Sequence, residues 1–69
     1  MYRLLVIEDD ASIRAMLRQA LEDEGYQVDE APDGSSGLQA IRAGGLDLVL
    51  LDLRLPDMSG FEVCRQIRI

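Results

Sequence analysis

Two kinds of hydrophobic pattern alternate along the chain. Continuous apolar runs, Leu4-Leu5-Val6-Ile7 and Leu48-Val49-Leu50-Leu51, lead straight into carboxylates: Glu8-Asp9-Asp10 after the first, Asp52 after the second. A run without alternation predicts a strand covered on both faces, which places strands at 3–8 and 47–52. From Ala11 the period changes: Ile13, Met16, Leu17, Ala20 and Leu21 fall on one helical stripe. Asp10 is placed to cap that helix and Gly25 to end it in a left-handed turn. Arg18 and Glu22 form an i,i+4 pair on its outer face.

Tyr26 to Ala31 alternates weakly and predicts a short edge strand stopped by Pro32. Asp33-Gly34 is a turn or cap before a short helix carrying Leu38 and Ile41, which Gly44-Gly45 breaks. After the apolar run to Asp52, a loop with Pro56 and Asp57 reaches Ser59-Gly60-Phe61-Glu62, the pattern of a capping box. The helix it opens carries Phe61, Val63, Cys64 and Ile67 and runs to Ile69. The order is β-α-β-α-β-α, with connections suited to right-handed crossovers. The two apolar strands want neighbours and the second strand is more polar, so the predicted parallel order is 2-1-3, with the first two helices on opposite faces. Strand order then reverses between strands 1 and 3, where ligands bind in open α/β sheets. Glu8, Asp9 and Asp52 meet there.

Composition narrows the chemistry. The 69 residues are 48% hydrophobic and 29% charged, the mix of one small globular α/β unit. A net charge of −6 argues against direct nucleic-acid contact, which rests on Lys and Arg neutralising phosphates. No apolar run spans a bilayer, and the short apolar start ends in acids, unlike a secretory signal. The lone Cys64 can form no internal disulfide, fits a reducing cytoplasm, and on its helix reads as a small buried hydrophobe. Without histidine, zinc, haem and Ser-His-Asp chemistry lose their usual ligand or base.

Carboxylate chemistry remains. Three ionised acids in one place repel unless a counter-charge is supplied. Oxygen donors alone suit Mg²⁺ or Mn²⁺, with Ca²⁺ a poorer fit because it wants more ligands. Room for a phosphate oxygen beside such an ion suggests phosphoryl chemistry at a carboxylate, with Asp52 as nucleophile. The plainer alternative is that acids mark where strands leave the core, with Asp10 only a cap.

Leu5-Val6-Ile7-Glu8-Asp9-Asp10 together with Leu50-Leu51-Asp52-Leu53-Arg54-Leu55-Pro56-Asp57-Met58-Ser59-Gly60 resembles the receiver domain of bacterial two-component response regulators. Asp9 and Asp52 lie 43 positions apart (52 − 9), which fits that family, as does Ala31-Pro32-Asp33-Gly34. The resemblance runs over the whole chain. It implies a flavodoxin-like (CheY-like) fold and a signalling module rather than an enzyme. Asp52 would accept a phosphoryl group from a sensor histidine kinase or phosphotransfer protein. Asp9 would be a direct Mg²⁺ ligand, Glu8 would hold the metal through water, and the backbone carbonyl of Arg54 would complete the protein ligands alongside Asp52. Pro56 and Gly60 would shape the following loop, while Asp10 and Asp57 read as caps or solvated acids.

The same resemblance implies that residues 1–69 are the N-terminal portion of a domain about twice as long. The Thr or Ser ending its fourth strand, the Lys ending its fifth and any effector domain are not among these residues. Strand 3 would then present an open edge, and the face carrying the first helix would lack a cover. The expectation is a chain that is not a stable solitary monomer, but self-associates or pairs with the missing half, with impaired phosphoacceptor activity. Two alternatives stand beside it. One is a non-catalytic interaction fragment. The other is an aspartate-nucleophile phosphatase of the haloacid dehalogenase type, which needs a second Asp where Arg54 stands.

Overall fold

A computed structural model describes residues 1–67 of the chain. The elements are β1 (Arg3–Ile7), α1 (Ala11–Asp23), β2 (Gln27–Ala31), α2 (Gly34–Ala43), β3 (Leu48–Leu51) and α3 (Gly60–Ile67). The expected close of the last helix at Ile69 lies outside the described residues. The strands form one parallel sheet in the order β2-β1-β3, as the hydrophobic pattern predicts. Ladder bonds run one residue beyond the strands: Glu8 N donates to Ala31 O (3.0 Å), Asp47 N to Arg3 O (2.8 Å) and Asp52 N to Ile7 O (3.0 Å).

Alternation along β1 divides its side chains between two layers. Leu5 and Ile7 join Ala31, Leu38 and Val63 in the main core beneath α2 and α3. Leu4 and Val6 are equally buried but face the α1 layer, where Val28 lies beside Leu4 in register. The helix ends follow the expected chemistry. Asp10 accepts the amides of Ser12 (2.9 Å) and Ile13 (3.0 Å). At the other end Gly25 N donates to Glu22 O (2.9 Å) and Tyr26 N to Leu21 O (3.2 Å), with Gly25 at φ 94°. Those paired bonds make a Schellman turn, which glycine enters without a Cβ penalty. They also draw Tyr26 out of β2, which begins one residue later than predicted.

Three expectations need correction. β3 is not a buried strand: Leu48 is 54% exposed and the rest are half-buried, because β3 pairs on one side only. Cys64 is exposed rather than buried. α3 turns Gly60 and Val63 inward; at 3.6 residues per turn Cys64 sits roughly 100° and Phe61 roughly 160° around the helix from Val63, and Phe61 is 70% exposed. The capping box is half-formed. Glu62 N donates to Ser59 Oγ (3.1 Å), but the Glu62 carboxylate turns to Arg65 (2.8 Å) and Gln66 (3.2 Å) instead of reaching back. α1 has the predicted stripe, yet among the described residues none of its side chains is buried, and Met16 is 62% exposed.

Candidate metal centre

The carboxyl ends of β1 and β3 lie side by side because Ile7 pairs with Leu51. Glu8 and Asp52, the next residues, leave the sheet together. Glu8 is buried, Asp9 exposed and Asp52 half-buried, and one carboxylate oxygen from each lies within 4.8 Å of the others. The three acids singled out in the sequence therefore form one cluster at the strand-order switch point.

Hydrogen bonding differentiates two of them. The Glu8 carboxyl is held above its ordinary value, first by its hydrogen bond to Asp52, then by burial and by the Asp52 charge, while the Asp10 amide works against the shift. The Asp52 carboxyl is held below its ordinary value, first by the Arg54 amide and then by Glu8. The opposite directions describe one interaction: two neighbouring carboxylates whose charges repel, with the buried Glu8 the one whose ionised form is disfavoured. Oxygen donors packed this closely make a set suited to a hard divalent cation, whose charge would offset that repulsion.

Arg54 N donates to Asp52 Oδ1 (3.0 Å), and the Arg54 side chain is exposed. Gly60 N closes the loop onto Leu53 O (2.9 Å), with Arg54 bridged to Ser59. A Cβ on Gly60 would stand 2.7 Å from the Asp52 carbonyl oxygen and 2.8 Å from Leu53 Cα, so only glycine permits this approach. Asp10 is confined to its cap. Asp57 lies away from the acids and caps a distant helix, accepting Gly34 N (2.8 Å) and Ser35 N (2.9 Å). With Asp33 accepting Ser36 N (2.8 Å), two carboxylates satisfy three first-turn amides of α2.

Arg14 went unread in the sequence, and Asp57, read as a cap or solvated acid, could not be assigned its partner. The tertiary cap by Asp57 has no local signal, because its partners lie more than twenty positions away. Arg14 follows Asp10 by four positions and reaches back to the Glu8 carbonyl (2.9 Å); an Arg one turn into a helix that starts beside an acid pair was the available clue.

The model of the response regulator receiver domain matches residues 4–69. The chain belongs to that family. It is 47% identical over 66 residues to the transcriptional regulatory protein ResD of Bacillus subtilis, covering 96% of this chain and 28% of that protein. It is 50% identical over 66 residues to DltR of Streptococcus agalactiae, covering 96% of this chain and 30% of that one. The response regulator TrrA of Thermotoga maritima, solved with Mg²⁺-BeF, superimposes with a TM-score of 0.95 at 43% identity, over 99% of this chain and 59% of that one. TrrA has also been solved in complex with the histidine kinase ThkA, with a TM-score of 0.93 over the same shares of the two chains. This receiver sequence thus spans less than a third of the length of these curated relatives. Its fold is the CheY-like, flavodoxin-like one, the family is a two-component signalling module, and the acid cluster lies on that fold.

Proposed function

We propose that this receiver sequence accepts a phosphoryl group on Asp52, beside a divalent cation held by Glu8, Asp9, Asp52 and the Arg54 backbone carbonyl. The observation that carries the reading is the convergence, within 4.8 Å, of carboxylates from two strand ends far apart in sequence. The donor set is all hard oxygen, which fits Mg²⁺ and, on the same grounds, Mn²⁺; the Mg²⁺-BeF complex of TrrA supports the first. Such an ion, when bound, neutralises the acids and the charge that develops on the transferred phosphoryl oxygens. The chain's own residues do the rest. The Arg54 amide keeps Asp52 ionised, hence nucleophilic. Its free oxygen attacks the phosphohistidine phosphorus of a sensor kinase or phosphotransfer protein, and an acyl phosphate forms as the P–N bond breaks.

The kinase complex of TrrA supports a histidine kinase as donor, and a cytoplasmic setting fits that partner. We read residues 1–69 as the N-terminal part of a receiver, a reading supported by their covering 59% of the TrrA chain; DNA contact in the transcriptional relatives would belong to other residues. Labelling should therefore be slower than in a whole receiver. The test is to incubate the chain with Mg²⁺ and a small acyl phosphate and seek an acid-stable, base-labile adduct by mass spectrometry. An adduct lost in Asp52→Asn supports the reading. No adduct under conditions that modify a whole receiver, or one that persists in Asp52→Asn, overturns it.

The open β3 edge favours a second, compatible reading. A trough lined by Val6, Ile13, Leu17 and Leu50 flanks that edge on the α1 side. The chain would then self-associate through β3, or pair there with the remainder of a receiver.

A further inference from the structure

We infer that Arg14 is a positioning residue of the candidate metal centre, acting as a clamp on the backbone of Glu8 and Asp9. The inference rests on the cation-site reading above and assigns a role to a residue outside the acid cluster. Only Glu8, Asp9 and Asp10 separate β1 from α1. That segment is pinned at one end by Glu8 N on Ala31 O (3.0 Å) and at the other by Asp10, whose carboxylate takes two α1 amides. Between the pins, Arg14 Nη1 donates to Glu8 O at 2.9 Å and reaches Asp9 O at 3.5 Å. Arg14 is itself fixed from both sides. Its amide donates to Asp10 O (2.9 Å), and its Nε faces Glu30 Oε1 at 3.5 Å. Glu30 in turn is held by Arg18 Nη1 (2.6 Å), while Arg18 Nε pairs with Glu22 (3.2 Å). The Arg14 side chain is only 20% exposed, so its aim is set by packing rather than left to solvent. Its planar fork of donors spans two consecutive carbonyls and a carboxylate at once, which a single ammonium could not do.

Clamp and counter-charge differ in the sign of their effect. A guanidinium beside a cation site repels the incoming ion, so if its charge alone mattered, removing it would tighten Mg²⁺ binding. If the clamp matters, removing it lets the mutually repelling carboxylates of Glu8 and Asp9 spread apart, and binding weakens despite the lost repulsion. Groups that orient metal ligands commonly change affinity by about ten-fold or more when lost.

The test is calorimetric titration of the 69-residue chain with MgCl₂ at fixed ionic strength, for wild type, Arg14→Gln and Arg14→Lys, with circular dichroism to establish folding of each. The expected result is a Kd raised about ten-fold in Arg14→Gln and by a smaller factor in Arg14→Lys, which keeps the charge and one donor but not the fork. An Arg14→Gln protein that binds Mg²⁺ as tightly as wild type, or more tightly, overturns the inference. Should Arg14→Gln fail to fold, Arg14→Lys decides alone: its charge is conserved, so wild-type affinity there rules out the clamp. A wild type that takes up no Mg²⁺ overturns the cation-site reading itself, a separate outcome from unchanged binding in the variants.

Discussion

Gly60→Ala is the perturbation that joins fold to site most tightly. Its added Cβ would stand 2.7 Å from the Asp52 carbonyl oxygen, 2.8 Å from Leu53 Cα and 3.0 Å from Leu53 Cδ2. Two of those neighbours are backbone, so relief requires α3 to move off the loop or the end of β3 to shift. Overpacking of this kind costs about 1–3 kcal/mol. Against it stands the better helix propensity of alanine, about 1 kcal/mol in a helix interior and less at the first residue of α3, so the middle of that range leaves a net loss of about 1–2 kcal/mol. With a urea m-value of about 1 kcal/mol/M for a small domain, the unfolding midpoint should fall by about 1–2 M. The displaced atoms belong to Asp52 and its neighbour, so Mg²⁺ affinity should fall as well. Gly44→Ala is the control. Gly44 has φ 83° and nothing within 4 Å of an added Cβ, so it loses stability through backbone strain alone and should keep its Mg²⁺ affinity. Urea unfolding followed by circular dichroism, with Mg²⁺ titration of each protein, reads both quantities. A Gly60→Ala protein with wild-type midpoint and wild-type Mg²⁺ affinity would show that this close approach constrains neither fold nor site.

The raised Glu8 carboxyl gives a signed pH prediction. Because its folded value is raised, Glu8 contributes stability that is fully present below its unfolded value and is lost as pH rises through the folded value. Glu8→Gln should therefore stabilise the ion-free protein at neutral pH, flatten its stability across that window and weaken Mg²⁺ binding; a variant less stable than wild type in EDTA at neutral pH contradicts the penalty on the ionised Glu8 carboxylate. The open edge gives another prediction. Leu48→Lys places a charge on the exposed side chain of β3 and should lower self-association without unfolding the monomer; sedimentation showing the same mass distribution as wild type rules out that edge.

Much of the fold was legible because local pattern and global topology agree. Apolar runs without alternation mark β1 and β3, the helical stripe marks α1, and Asp10 and Gly25 close its ends with the expected bonds. What escaped the pattern depends on neighbours rather than on the segment. β3 looks as buried as β1 in sequence, yet burial requires a partner on each side, and among the described residues only β1 pairs with it. Phe61 and Cys64 are apolar, yet helix phase set by Val63 turns them outward. The acids of the candidate site were legible since each follows an apolar strand, and topology alone brings them together. Arg14 was not, because it acts on backbone carbonyls, which carry no residue identity; Asp57 was legible as a cap or solvated acid, but not the helix it caps, because its partners lie more than twenty positions away.

A single divalent-cation site built from Glu8, Asp9 and Asp52 underlies the function proposed for this chain. Its decisive test is titration of the isotopically labelled chain with MgCl₂, followed through backbone amide shifts. The prediction is one saturable transition, centred on residues 8–10 and 52–54 and abolished in Asp9→Asn. Shifts that scatter over the acidic surface without saturating, or that survive in Asp9→Asn, would contradict it.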